Sequence, residues 1–309
     1  MEKSKAEKLT EELNHVPALP EAITRLIGIM DDPDTSVNDI VKAMEPATCA
    51  KVLSVANSAH YSRLRKVDTL EHAIAILGRN TIRDMVLGIA IVSMFSMEHG
   101  EGGFDYKKFW HKTIVSTQLA LMFGKILKNP EISKIYTIGL IHDIGEVIFF
   151  LYFKAEYRKM LNLNDGDNLS QVEAETKVFG LSHAEIGKLL AEKWNLPESV
   201  GRIICYHEDP QKLKDNSDEL RVGMIIHAAD SLANMLFNSA DWEEIFENED
   251  ELDKLFSNLS SQSNSLMNKI ISDTSKTPLP GNWMSIIDEE LAIVSKAVMP
   301  IMRFLLSSN

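Results

Sequence analysis

The chain has 309 residues, of which 45% are hydrophobic and 25% charged, and this ordinary globular mixture argues against a disordered chain. Its formal net charge of -13 argues against nucleic acid and anionic membranes as partners, because both attract basic faces. The two cysteines, Cys49 and Cys205, form no CxxC pair, and the charged N-terminus MEKSKAEKLTEEL lacks the apolar core of a signal peptide. We therefore expect a reduced, cytoplasmic protein.

The first subdomain, residues 1–104, shows signals of short helices and almost none of strands. Apolar residues at helical spacing follow Pro20, and Ser36 with Asp39 resembles a capping box. Pro46 ends the second predicted helix, and a third runs through Val52 and Val55. A fourth helix is predicted to start at Asp68 and stop at Gly78, and a fifth to run from Thr81 to about Met97. We expect a compact all-α subdomain.

The segment HGEGGFD, residues 99–105, contains three glycines and marks the boundary to a second helical subdomain, residues 105–240. Within it, helix starts and ends are predicted by two capping boxes, Ser170 with Glu173 and Ser182 with Glu185, and by Gly180 between them.

A C-terminal helical extension, residues 241–309, completes the predicted organisation. Residues 241–254 are densely acidic, which is typical of a solvated helix face, and the stretch 257–281, rich in Ser, Asn and Pro, is predicted to contain a loop. The last helix carries one apolar seam, made by Leu291, Val294, Val298, Ile301 and Leu305. We expect this seam to pack on the parent domain; a homodimer through the same helix is the alternative.

The most apolar run of the chain contains two groups that bind protons or metals. His142 and Asp143 are adjacent within YTIGLIHDIGEVIFF, and Glu146 follows. A membrane-spanning helix rarely carries polar groups at this density, so the run is predicted to be a buried core helix. An imidazole and a carboxylate are costly there unless they are paired, hydrogen-bonded or bound to a cation.

Other residues of the second subdomain complete a candidate metal shell. The members beyond His142 and Asp143 are His111, His183, His207 and Asp230. Mixed imidazole and carboxylate ligands suit a divalent transition metal (iron, manganese, nickel, cobalt or zinc). A hydrogen-bonded core network without metal is the alternative. No organic cofactor is predicted, because no P-loop and no GxGxxG after a strand occurs.

These residues carry a resemblance to a known group of proteins. The order of His111, His142-Asp143 in LIHDIGE, His183, His207 and Asp230 resembles the HD superfamily of metal-dependent phosphohydrolases. Residues 12 to 240 resemble more fully the HDOD family, through PALPEAITRLIGIMDDP, EPATCAKVLSVANSAHYS, TLEHAIAILGRNTIRDMVLG and SHAEIGKLLAEKWNLPESVGRIICYHED. The resemblance implies two helical subdomains, the second an HD-like bundle, and a regulatory role in bacterial signalling.

The sequence departs from the related HD-GYP phosphodiesterases at three positions. Glu146 stands where they have a lysine that can meet a phosphate, Tyr206 replaces one of two paired histidines, and Lys107 stands where some members have a carboxylate. The resemblance therefore favours a regulatory module, with a bound divalent metal, that binds a signalling protein or a small ligand. A metal-dependent phosphohydrolase acting on a nucleotide or cyclic nucleotide is the alternative function.

Overall fold

The computed structural model describes residues 9, 11, 13–57, 67–95, 104–167, 169–238, 242–274 and 283–306. These residues form α-helices and short 3-10 helices, with no strand among them, and this confirms the all-α fold class. The helices of the first subdomain are α1 (Glu21–Asp31), α2 (Val37–Ala43), α3 (Pro46–Ala56), α4 (Leu70–Leu77) and α5 (Arg79–Phe95), preceded by a 3-10 turn, Leu13–His15.

Helix starts in the first subdomain follow local capping chemistry, with two corrections. The Ser36 hydroxyl accepts the predicted hydrogen bond from the Asp39 N–H, at 3.2 Å. The cap of α4 is Thr69 rather than Asp68, since the Thr69 hydroxyl accepts from the backbone N–H three residues on. Helix α5 begins at Arg79, two residues earlier than predicted. The chain turns at Gly78, whose φ of 84° is readily adopted only by glycine, and the next helix follows at once.

The second subdomain contains the helices that form the core around the apolar run. They are α6 (Tyr106–Ile126), α7 (Ile132–Ile141), α8 (Ile144–Tyr152), α9 (Lys154–Asp167), α10 (Gln171–Phe179), α11 (His183–Lys193), α12 (Glu198–Tyr206) and α13 (Ser217–Phe237), with a 3-10 turn at Pro210–Leu213. Both predicted capping boxes are present, at Ser170 and Ser182, and Gly180 ends α10 with a left-handed backbone. Most of the predicted boundary segment lies in residues 96–103, outside the described residues.

The apolar run is two helices rather than one. Helix α7 ends at Ile141 and α8 begins at Ile144, so His142 and Asp143 form the junction between them. The stretch Lys134–Tyr152 is long and apolar enough to span a membrane by composition alone, but 83% of it is buried inside this fold. It therefore serves as the core of the second subdomain.

The C-terminal extension is helical where it is described. Its helices are α14 (Trp242–Glu247), α15 (Glu249–Asn258), α16 (Ser260–Thr274) and α17 (Trp283–Leu306). Within 257–281, which is predicted to contain a loop, Ser260–Thr274 is helical, with Ser263, Met267 and Ile270 buried at helical spacing. Residues 275–282 lie outside the described residues.

The apolar seam of α17 packs on the same chain. Leu291, Val294, Val298 and Ile301 are at most 4% exposed, and α17 contacts α6, α3 and α5. Helix α6 in turn packs against α7 and α13, and α5 packs against α7, so one hydrophobic core joins the described helices. The seam thus has an intramolecular role, and a homodimer through α17 stays a prediction.

Candidate metal centre

Five helix ends and faces bring polar side chains to one buried point of the second subdomain. His142 and Asp143 lie at the junction of α7 and α8. The other members come from different helices: His183 begins α11, His207 caps the C-terminus of α12, and Asp230 lies on α13. A close approach makes this possible, because a Cβ on Gly145 would lie 2.1 Å from the carbonyl oxygen of His183. The glycine therefore lets α8 rest on the start of α11.

The ring Nε2 atoms of the three histidines surround the Asp143 carboxylate. Asp143 Oδ1 lies 3.5 Å from His183 Nε2 and 3.3 Å from His207 Nε2, and these two nitrogens are 3.4 Å apart. On its other side, Asp143 Oδ2 lies 3.3 Å from His142 Nε2, which is also 3.3 Å from Asp230 Oδ1. The side chains of His142, Asp143, His183 and His207 are at most 2% exposed.

Each imidazole is anchored through its other nitrogen. The Nδ1 atoms of His142 and His207 lie 2.8 and 2.7 Å from the carbonyl oxygens of Gly139 and Ile204. A carbonyl oxygen only accepts, so both Nδ1 atoms carry a hydrogen. His183 Nδ1 lies 2.7 Å from the Glu175 carboxylate, which fixes the same tautomer. In the neutral rings every Nε2 then directs a lone pair into the cluster.

These donors fit a divalent metal ion. Neutral His183 and His207 would place two lone pairs 3.4 Å apart, which is unfavourable unless a cation lies between them. Ligand atoms in a tetrahedral zinc site lie roughly 3.3–3.6 Å from one another, given bonds of about 2.0–2.2 Å. The Asp143 Oδ1, His183 and His207 triangle has these edges, and Glu208 Oε1 lies 3.6 Å from His207 Nε2 and 3.8 Å from His183 Nε2. Anchoring of Nδ1 by a carbonyl or carboxylate is likewise usual for metal-bound histidines.

A lysine enters the cluster from α6. Lys112 Nζ lies 2.7 Å from Asp143 Oδ2, 3.7 Å from Asp230 Oδ1 and 3.9 Å from Glu146 Oε1, and its side chain is 14% exposed. With Glu175 and Glu208, five carboxylates lie around this ammonium and the three imidazoles. Most of this negative charge is buried, which favours further cations, either a metal or protons on the rings.

The pKa directions reflect the same charge balance. Burial opposes a charged ring, but the Asp143 and Asp230 carboxylates raise the pKa of His142 to about 9. Burial opposes the charge of His183 as well, and Glu175 raises its pKa to about 9. Burial also opposes the charge of Asp143, yet His142 and Lys112 hold its pKa well below the ordinary 3.8. The site therefore stabilises Asp143 as a carboxylate and attracts positive charge to the imidazoles.

The structure does not bring His111 to this cluster. Its Nδ1 lies 2.6 Å from the Lys107 carbonyl oxygen, and its ring contacts Trp242 and Phe246 of the C-terminal extension edge-on. Consecutive residues of a helix point about 100° apart, so α6 presents either His111 or Lys112 to the cluster, not both. The packing of α14 on α6 selects Lys112.

Sequence reasoning missed three contributors to the site: Lys112, Glu175 and Glu208. Glu208 directly follows His207, so its proximity was available from the sequence. Glu175 lies on the buried face of α10 at 1% exposure, and a charged residue at an apolar helical position is a signal for a buried partner. Nothing local distinguishes Lys112 from the neighbouring lysines.

Comparison with known proteins agrees with this architecture. The sequence profile described as "HDOD domain" matches residues 16–210. An uncharacterized protein of Treponema pallidum (strain Nichols) is 24% identical over 207 residues, which cover 66% of this chain and 40% of that protein. This chain thus matches less than half the length of that relative.

Two crystal structures share the fold. One, named "Putative phosphohydrolase", is from Shewanella amazonensis SB2B; it has a TM-score of 0.69 at 23% identity, with 97% of this chain and 98% of that chain covered. The other is an HDOD domain protein of unknown function from Geobacter sulfurreducens, with a TM-score of 0.62 at 22% identity and coverage of 87% and 98%. At this identity the likeness concerns the fold alone.

Proposed function

The chain belongs to the HDOD domain family, and we propose that it is a regulatory module of bacterial signal transduction that holds a divalent transition metal. In this proposal it acts by binding a signalling protein or a small ligand. Its compartment is the reducing cytoplasm, where free thiols such as those of Cys49 and Cys205 persist.

The observation that carries the proposal is the burial of the metal donors behind an acidic opening. His183, His207 and Asp143 are at most 2% exposed, whereas the Glu208 side chain, beside them, is 43% exposed. A carboxylate at the exposed edge repels a phosphate group. None of these residues lines any of three cavities in the described part of the chain, whose volumes are about 720, 330 and 340 Å³. This arrangement suits a structural or sensing metal better than one that receives a phosphorylated substrate.

Asp143, His183, His207 and Glu208 are the residues that would hold the metal. When bound, the ion would supply folding free energy to the junction of α7, α8, α11 and α12, because unfolding would separate its ligands. The chain's own part is to hold Nε2 of both imidazoles toward the ion through Glu175 and a backbone carbonyl.

A cleft between the two subdomains offers a place for a small ligand. The cavity of about 330 Å³ is lined from the first subdomain by Ile27, Asn80 and Arg83, and from the second by Lys134 and Trp194. A ligand that contacts both walls would bias their relative position, and this is how we propose that binding is transmitted.

A second candidate function is a metal-dependent phosphohydrolase, favoured by the fit of the donor set to a metal and by the name of the relative from Shewanella amazonensis. A hydrolysis screen separates the two functions. The full chain, loaded with Mn²⁺ or Fe²⁺, is offered phosphomonoesters, nucleotides and cyclic dinucleotides.

We expect no turnover above the metal-only control. Turnover that His142→Ala abolishes and His72→Ala, a change outside the cluster, leaves intact would overturn the regulatory proposal in favour of the phosphohydrolase.

A further inference from the structure

The Asp143 carboxylate faces two different positions. On the Oδ1 side lie His183 Nε2, His207 Nε2 and, farther out, Glu208. On the Oδ2 side lie His142 Nε2 at 3.3 Å and Lys112 Nζ at 2.7 Å. One carboxylate therefore separates two groups of donors.

The donors on the Oδ2 side would also suit a divalent ion. They comprise His142 Nε2, Asp143 Oδ2 and Asp230 Oδ1, with the imidazole 3.3 Å from each oxygen. These separations match those on the Oδ1 side, and again an imidazole and carboxylates meet. The difference is that Lys112 brings its ammonium to the oxygens of this group, at 2.7 and 3.7 Å.

We propose that Lys112 is a built-in cation that occupies the Oδ2 position, so that the chain binds a metal ion on the Oδ1 side of Asp143 only. This inference rests on the proposed function, which supplies the divalent metal ion on the Oδ1 side. An ammonium 2.7 Å from Asp143 Oδ2 and 3.7 Å from Asp230 Oδ1 repels a second divalent ion and already supplies positive charge beside both oxygens.

The orientation of α6 keeps Lys112 in this place. His111, the preceding residue, packs against Trp242 and Phe246, with ring centroids 5.5 and 6.4 Å away. Lys107 Nζ, one turn earlier, lies 3.0 Å from Glu243 Oε1 on the same α14. These contacts fix the rotation of α6 about its axis, and with it the direction of the Lys112 side chain.

Metal counting tests the proposal directly. The full chain, without a metal-affinity tag, is stripped with a chelator, dialysed against Mn²⁺ and analysed for bound manganese per chain. Lys112→Met removes the ammonium at similar length, and Lys254→Met, at a lysine of α15 that is 68% exposed and lies outside the cluster, is the matched control. We expect the Lys112→Met variant to bind one ion more than the wild type, and the control to bind the same number as the wild type.

The manganese spectrum adds a second readout. Two ions bridged by Asp143 would be magnetically coupled, so the electron paramagnetic resonance spectrum of Lys112→Met should lose the hyperfine pattern of an isolated ion. Should Lys112→Met not fold, Lys112→His replaces the cation with a further ligand, and the same gain of one ion is expected. Lys112→Arg retains the charge and should keep the wild-type number.

Two results would overturn the assignment of Lys112: a wild type that already binds two ions, or Lys112→Met and Lys112→His variants that bind no more than the wild type. A wild type that binds no ion would instead contradict the proposal that the chain holds a metal. In that case a gain of one ion in Lys112→Met would still uphold the inference that the ammonium fills a cation position.

Discussion

Neutralising Asp143 tests the electrostatic account of the cluster. Asp143→Asn keeps the shape of the side chain but removes the charge that Lys112 Nζ meets at 2.7 Å and three imidazoles meet at 3.3–3.5 Å. Breaking a buried ion pair by removing one partner costs about 3–5 kcal/mol. With about 2.1 cal/mol/K of unfolding entropy per residue over 309 residues, this corresponds to a fall in Tm of roughly 5–8 °C. Thermal unfolding with a chelator present measures the loss without the metal.

Neutralising Glu146, which lies in the same cluster, should not lower the stability of the fold as neutralising Asp143 does. Burial raises the pKa of Glu146, with Lys112 opposing and Asp143 adding to the rise. A raised pKa in the folded state means that ionised Glu146 opposes folding, so Glu146→Gln should leave stability unchanged or increase it. A lowered pKa, as at Asp143, means that the charged form supports folding above the ordinary 3.8 and that this support is lost as the pH falls.

The exposed pair of Asp31 and Arg83 supplies the control. Asp31 lies 2.6 Å from Arg83 but is half-exposed, so Asp31→Asn should cost at most about 1 kcal/mol. A loss for Asp143→Asn no larger than for Asp31→Asn, or an equal loss for Glu146→Gln, would refute the reasoning.

Three further changes address the positioning of the site. Glu175→Gln should weaken metal binding about 10–100-fold, because His183 loses its anionic anchor; a chelator-competition titration checks this, and an unchanged Kd would contradict it. Gly145→Ala should cost about 1–3 kcal/mol or more in a denaturant titration, since its Cβ would meet the His183 carbonyl, whereas Gly28→Ala has nothing within 4 Å and should be neutral or stabilising. His111→Phe should leave the metal content unchanged, and a lost ion would contradict that expectation. Burial lowers the pKa of His111 in the folded state below 6.5. As the pH falls below 6.5, the unfolded chain takes up a proton at this ring before the folded chain does, and the wild type loses stability. The variant lacks this ring and should therefore lose less stability than the wild type on acidification.

Local chemistry made some elements predictable. The capping boxes at Ser170 and Ser182, and the left-handed Gly180, depend on residues three or four apart, so the sequence contains the whole signal. The helix Ser260–Thr274 was not placed from the sequence, because the Ser and Asn content of this stretch hides its apolar spacing. Its buried Met267 and Ile270 show that the apolar spacing was the better guide.

The geometry of the site depended on packing that no local pattern contains. Periodicity predicted one continuous helix through His142 and Asp143, and the break between α7 and α8 has no proline or glycine at the junction itself. His111 was the expected ligand from α6, but its docking on Trp242, more than a hundred residues later, turns Lys112 toward Asp143 instead. Helix rotation is set by such distant contacts.

The central claim is that the buried cluster holds one metal ion on the Oδ1 side of Asp143. A crystal structure with anomalous scattering, from protein prepared without a metal-affinity tag, tests it most directly. One peak is expected at about 2.0–2.2 Å from Nε2 of His183, Nε2 of His207 and Asp143 Oδ1, with the Lys112 ammonium still beside Oδ2. A cluster of ordered side chains with no peak, or a peak in the place of the Lys112 ammonium, would contradict it.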